Sequence, residues 1–481
     1  MLARIFQSAA LALLPVAVAI AAPTAPLKPR IVVLTDIGPS EIEPDDHESM
    51  VRLLCYADRF EIEAVITGSG WNTSGRTYPP AWMDILRGTL DAYAQDVPNL
   101  MQRSAQTGFR TDEEQQELGY WPSPAYLHSR ALLGSPRLGF AALGEGNDSA
   151  GSEFLLRLAA EPDPRPIWVC VWGGANTFAQ AVWRLRQQGD SARLKTFLHK
   201  FRVYTITDQD KDWGKDVPFA ISSHQWLRRE FAQDLVFLWD ESAWLFQNET
   251  GKGNWAAYEK EIQGHGHLGR EYPKFKWGVE GDTPSFLYVM PNGLNDPEHP
   301  GAGGWGGFFA RGTGPDGVTS AYVNQSGTPA SPVSRKYEER FYPAIFNDFV
   351  ARIRWAASGA GNRNPVVVLE GDATCAPLTI AASPGDTLTL DASASSDPDR
   401  DALRFSWWFL PEAGTYRGEL TLAASDSARA TLGIPPDFTG HTIHVVCEVT
   451  DDGTPRLTSY RRVIITSAPQ NHPEVTSPRL P

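Results

Sequence analysis

The sequence predicts an α/β domain with a mostly parallel central sheet, followed by a smaller all-β sandwich. Short, continuous apolar runs alternate with helical patterns through the first two thirds of the 481 residues, as strands buried on both faces require. A Gly- and Asn-rich stretch then ends in Pro365, and beyond it the chain turns to short β-rich runs at close intervals. Composition agrees: 42% hydrophobic and 21% charged residues describe a globular chain, and the length allows two or three domains.

Residues 1–21 read as a secretory signal peptide, with the cation Arg4, an apolar stretch over 9–21 and a small-x-small site at Ala19-Ile20-Ala21. That stretch holds a Pro and falls short of the ~20 residues that span a bilayer. No later segment of that length is apolar, so the expected destination is the periplasm or the medium. The α/β domain is placed at 28–358. Its first strand is 31–34, and Met50, Leu53, Leu54 and Ala57 then recur at helical spacing. Further strands are expected at 62–66, 167–171, 203–206 and 235–239. Phe178, Ala181, Val182 and Leu185 mark a helix face, and a last helix covers 338–355. Residues 359–365 read as a linker. The sandwich, 366–467, takes strands at 378–381, 387–390, 404–408, 429–434, 441–449 and 461–465, separated by turn signals such as Pro384-Gly385-Asp386. Residues 468–481 are Pro-rich and polar and are expected to be disordered.

A net charge of −14, spread along the chain, argues against a nucleic-acid partner and favours a cation or a neutral ligand. Composition does not specify an oligomeric state. The four cysteines form no C-x-x-C pair, which argues against zinc. Cys55 and Cys170 lie in apolar patterns as buried thiols, whereas Cys375 and Cys447 share the C-terminal segment and would be free to pair in an exported protein.

The chemistry concentrates where the first strand runs into Thr35-Asp36-Ile37-Gly38 and then Glu43-Pro44-Asp45-Asp46-His47. In an open parallel sheet such a loop lies at the carboxyl ends of the strands, where ligands bind. Asp45 and Asp46 would also favour the positive N-terminus of the helix they precede, so spacing alone leaves cap and cation site open. Sixteen tryptophans suit stacking on the C–H face of a sugar, although most in a chain this size are core. Ser395 to Asp401 form an Asp-rich turn resembling those of calcium-tolerant immunoglobulin-fold modules; a plain Asx turn accounts for the same residues.

The opening segment resembles the N-terminal signature of the nucleoside hydrolases, in which a strand ends in Asp-x-Asp-Pro-Gly-x-Asp-Asp. Leu34 stands where that family has its first Asp, Ile37 replaces Pro, and residues 40–44 lengthen the loop. Val65-Ile66-Thr67-Gly68-Ser69-Gly70-Trp71-Asn72 resembles the family's Ile-Thr-x-x-x-Gly-Asn turn, and the segment from Trp168 to Asn176 resembles its strand-to-helix segment. The whole chain is similar to a bacterial subgroup with a C-terminal immunoglobulin-like domain, often labelled cellulose-binding. To it also belong the segments carrying Asn147 and Asp148, Asp208 and Asp210, Asp282, and Trp305.

The resemblance implies calcium held by Asp36, Asp46, the Trp172 carbonyl and Asp282, in keeping with the six to eight oxygens calcium takes. It implies Asp36 as the base that accepts a proton from water attacking an anomeric carbon, and Asp45, Asn72 and Asn147 on sugar hydroxyls. Asp148, Asp208, Asp210 and Trp305 are further expected ligand contacts; capping for the two later acids and packing for Trp305 are the alternatives. Gly281-Asp282 replaces a His-Asp pair that in the enzymes can help the base depart. The expected function is therefore calcium-dependent hydrolysis of a glycosidic or N-ribosidic bond, with non-catalytic carbohydrate binding as the alternative.

Overall fold

A computed structural model describes residues 26–468, apart from 43, 74–75, 111–112, 114–115 and 213–215. The expected signal peptide lies outside the described residues, as does the tail beyond 468. Strands β1 (Arg30–Thr35), β2 (Glu61–Thr67), β3 (Ala131–Leu133), β4 (Ile167–Val171), β5 (Phe201–Ile206), β6 (Val236–Asp240), β7 (Ala310–Thr313) and β8 (Ser320–Val323) form one sheet, ordered β3-β2-β1-β4-β5-β6-β8-β7. Every pairing is parallel except β7 with β8.

Alternation along β1 explains the layering. Ile31 and Val33 feed one core and Val32 and Leu34 the other, all four fully buried, so helices cover both faces. The order reverses at β1, with β2 and β3 on one side and β4 to β6 on the other. Such a reversal opens a crevice beyond the carboxyl ends of β1 and β4, where open α/β sheets take ligands.

Helix Ala330–Ser358 begins eight residues before the stretch expected from apolar spacing and carries Pro343 inside it. Gly359, at φ 67°, closes it in a left-handed conformation that glycine adopts without strain. Strands β9 (Leu378–Ala382), β10 (Thr387–Asp391), β11 (Arg404–Phe409), β12 (Leu422–Ala423), β13 (Arg429–Gly433), β14 (Thr442–Thr450) and β15 (Thr458–Ser467) build two sheets, β10-β13-β12 and β11-β14-β15-β9. Their inner faces enclose a core with Trp407, Leu432, Val445 and Val463. The sandwich is antiparallel except for β15 with β9.

This topology keeps Cys375 and Cys447 apart. Cys447 is buried in β14 and Cys375 precedes β9, with β15 between them. Two strand spacings are about 9.5 Å, beyond the ~7 Å a disulfide bridges, and all four cysteines are free thiols.

The two halves share one apolar seam. Leu410, Val446 and Tyr460 of the sandwich belong to the same core as Tyr337, Phe341 and Trp305. Trp408 stacks on Tyr337 with ring centroids 6.2 Å apart. Arg462, fully buried in β15, donates to the carbonyls of Leu294 at 2.6 Å, Ala302 at 2.9 Å and Gly303 at 2.5 Å. A buried guanidinium so engaged ties the sandwich to the Gly-rich loop.

Candidate functional site

The loops after β1, β2 and β4 are laced together by backbone bonds. Trp172 N–H and Gly173 N–H both donate to Leu34 O, at 2.7 and 3.1 Å, and Gly68 N–H donates to Thr35 O at 2.9 Å. Asp36 sits in this junction with 2% of its surface exposed. Its Oδ2 accepts from Asn72 N–H at 2.7 Å, and its backbone carbonyl accepts from Asn72 Nδ2 at 3.1 Å. The two neighbouring glycines are obligatory: a Cβ at Gly173 would lie 2.1 Å from Asp36 Oδ1, and one at Gly70 would lie 2.5 Å from Oδ2. Asn72, expected on sugar hydroxyls, thus also positions Asp36.

Asp45 and Asp46 open helix Asp45–Leu54, so the cap and the cation reading describe the same residues. Thr35 Oγ1 donates to Asp46 Oδ1, fixing that carboxylate to the end of β1. Asp282 arrives from the far side, just before helix Thr283–Leu287. Its carbonyl accepts from Ser285 Oγ at 2.7 Å, and that hydroxyl accepts from the Trp172 indole at 2.7 Å. Carboxylate oxygens of Asp45, Asp46 and Asp282 lie within 4.8 Å of one another. Asp45 therefore joins the cluster in the place expected for Asp36, which stands beside it.

These four acids line a cavity of about 410 Å³. Trp71, Trp172, Trp244 and Trp277 form its walls, with Asn72, Gln209 and Asn248, and among the described residues no Lys, Arg or His lines it. Uncompensated burial governs the charges. It pushes Asp36 up to about 7 against the Asn72 N–H, with Asp45 adding to the rise. Burial likewise lifts Asp45 to about 6, and burial with the fields of Asp36 and Asp45 holds Asp46 well above the carboxylate range. A hard divalent cation answers both problems, because it replaces water around the oxygens and cancels their repulsion. The donor set fits calcium.

Five expected ligand contacts lie elsewhere. Asp208 is fully buried and paired with Arg228 at 3.0 Å; Asp210 accepts from Gly139 N–H at 3.0 Å and Ser223 N–H at 2.5 Å. Both brace loops beneath the site, and Gln209 between them reaches the cavity instead. Asp148 pairs with Arg184 and accepts from Gln180 at 2.8 Å, while Asn147 accepts from Arg137 at 3.1 Å; neither lines the cavity. Trp305 is 3% exposed and meets Tyr460 edge-on at 6.2 Å, so it packs the domain seam. His47 is buried against Thr89 Oγ1 at 3.0 Å, away from the cavity lining, and burial lowers it to about 4.

The residues that sequence reasoning missed are Trp71, Gln209, Trp244, Asn248 and Trp277. Trp244 and Asn248 stand four apart on the helix that follows β6, a spacing that puts both on one face. Gly278 and Gly281 let the segment bearing Trp277 and Asp282 press against Asn248: a Cβ at these positions would lie 2.1 and 2.9 Å from that side chain.

Residues 30–309 match the family model described as cellulose-binding Sde182, nucleoside hydrolase-like domain. Residues 387–467 match the model of the cellulose-binding protein Sde0182 C-terminal domain. No curated protein matches the chain. Among solved structures, a nucleoside hydrolase-related hypothetical protein from Saccharophagus degradans, described as associated with carbohydrate metabolism, is 34% identical. The match covers 92% of this chain and 100% of that one, with a TM-score of 0.79. The PKD domain of the KIAA 1837 protein is 22% identical over 23% of this chain and 95% of its own, at a TM-score of 0.16. Mouse cadherin-23 repeats 22–24 are 17% identical over 22% of this chain and 33% of theirs, at 0.17.

Proposed function

Because the chain belongs to the Sde182 nucleoside hydrolase-like family, we propose that it is an exported carbohydrate-binding protein whose cavity holds calcium and hydrolyses a glycosidic or N-ribosidic bond. The observation that carries this reading is the convergence of Asp36, Asp45, Asp46 and Asp282 at the base of a tryptophan-walled cavity that, among the described residues, no basic side chain lines. The relatives' names support a carbohydrate ligand, and aromatic walls with an acidic base are what a sugar asks for: an apolar face to stack on and acceptors for its hydroxyls.

Asp45, Asp46 and Asp282 would hold the cation, with the Trp172 carbonyl at the end of β4 as a further donor. A bound calcium would make a neighbouring water more acidic and engage sugar hydroxyls. Asp36 would act as the base toward the attacking water. Locked by Asn72 N–H and the two glycines, its carboxylate cannot swing away and stays oriented to accept a proton. As Asp36 accepts the proton, the water oxygen bonds to the anomeric carbon and the bond to the leaving group breaks, that group keeping the electron pair. Surrounding carboxylates stabilise the positive charge that builds on the sugar ring.

One observation favours a second reading, recognition without turnover. Among the described residues, no His, Lys or Arg lines the cavity to protonate a departing group; the Lys276 ammonium lies 4.9 Å from the ring centroid of Trp277 and is not part of the lining. Calorimetry with calcium and a sugar panel, followed by hydrolysis assays on aryl glycosides and nucleosides, separates the readings. Binding with hydrolysis abolished in Asp36→Asn supports the first; binding without hydrolysis supports the second; absence of both calcium and sugar binding refutes the site.

A further inference from the structure

Trp277 stands out among the cavity walls because its side chain is 61% exposed, whereas Trp172 is 1% exposed. Exposed tryptophan at the mouth of a ligand cavity is unusual, since its large apolar face gains by being covered. This one is also tethered to the neighbouring loop. Its indole N–H donates to Ile42 O at 3.3 Å, and the adjacent Lys276 ammonium donates to Glu41 O at 2.7 Å. Behind it, Gly278 allows the backbone to lie against Asn248, where any Cβ would come within 2.1 Å of that side chain. Ile42, itself 37% exposed, shares the rim. The result is an aromatic shelf, with the Lys276 ammonium 4.9 Å from the indole centroid on one face, in register with Asp282, five residues on, and outside the acid cluster. A ligand confined to the acid base of the cavity would leave that shelf uncovered.

Resting on the carbohydrate reading above, we propose that Trp277 is the platform of a second sugar subsite, so that the ligand is the end of an oligosaccharide chain rather than a free monosaccharide or nucleoside. The terminal ring enters among Asp36, Asp45, Asp46 and Asp282, and the next ring lies with its C–H face on the Trp277 indole. The lengthened loop through Ile42 forms one edge of this subsite and is kept there by Lys276 and Trp277. Preorganisation of the shelf means little ordering is required on binding.

The test is calorimetry at saturating calcium with glucose, cellotetraose and inosine, on the full chain and its Trp277→Ala and Trp277→Phe variants. The expected result is a preference of about tenfold or more for cellotetraose over glucose, an increment of about 1.4 kcal/mol. That preference collapses in Trp277→Ala and is partly restored in Trp277→Phe, with melting temperatures unchanged. Equal affinity for glucose and cellotetraose, a preference that survives Trp277→Ala, or inosine as the tightest ligand would overturn the subsite while leaving the cation-centred cavity standing. Failure of every sugar to bind would overturn the carbohydrate reading as well.

Discussion

Replacing Gly173 by Ala tests how tightly the fold holds Asp36. The added methyl would lie 2.1 Å from Asp36 Oδ1 and 2.5 Å from Asp36 N, whereas ordinary contact begins near 3.4 Å. Rotating the carboxylate relieves only the first clash, because the second is with backbone. The β1 and β4 loops must therefore part by about 1 Å, a displacement that can reduce turnover about a hundredfold. Overpacking of this kind also destabilises by about 1–3 kcal/mol. Gly88→Ala is the matched control: it lies in helix Met83–Ser104 with nothing within 4 Å of its Cβ, so it should stabilise by about 0.5–1 kcal/mol. Thermal melts and calcium and sugar titrations on both variants provide the measurement. Gly173→Ala binding calcium and sugar like the parent protein, with an unchanged melt, would refute the cradle.

Protonation gives another handle. Asp36 and Asp45, raised to about 7 and 6, hold protons in the folded metal-free protein that the unfolded chain has released, as does Asp210, raised to about 7. Stability without metal should thus fall as pH rises from about 4 through 7. Calcium at about a hundred times its Kd should restore about 2.7 kcal/mol at pH 8 and much less at pH 5; calcium-independent melts at pH 8 would contradict this. Asp208→Ala removes one of the two carboxylates on Arg228, Asp316 remaining at 3.2 Å, and should destabilise by about 1–3 kcal/mol, yet leave sugar affinity of the folded protein intact; a selective loss of affinity would return Asp208 to the site. Arg462→Ala leaves three buried carbonyls unpaired and should cost about 3 kcal/mol, seen as a lower denaturant midpoint; an unchanged midpoint would show that the seam does not depend on it. Thiol titration of the unfolded protein without reductant should find four reactive cysteines rather than two.

How far the sequence could be read follows from what each signal depends on. β1, β2, β4, β5 and β6 are buried on both faces and announce themselves as apolar runs, whereas β3, β7 and β8 are short, partly exposed or edge strands with no such run. Asp36, Asp45 and Asp46 were legible because strand, loop and helix succeed one another directly. Trp244 and Trp277 were not, since their place in the cavity depends on how the segments after β6 fold back across the sheet. Asp208 and Asp210 show the converse. They follow a strand at the ligand-bearing end, but Arg228 and the N–H groups of Gly139 and Ser223 claim their oxygens. Trp305 misled for a related reason: a glycine-rich loop with one tryptophan looks the same whether it covers a ligand or a neighbouring domain.

Clustered at the base of the cavity, Asp45, Asp46 and Asp282 would hold one calcium in the proposed function. Isothermal calcium titration at pH 8, with and without sugar, is the decisive measurement. The expected result is one calcium per chain, lost in the Asp46→Asn and Asp282→Asn variants, and sugar binding that requires the metal. Sugar binding of equal strength in a chelator, or a chain that takes up no calcium, would contradict it.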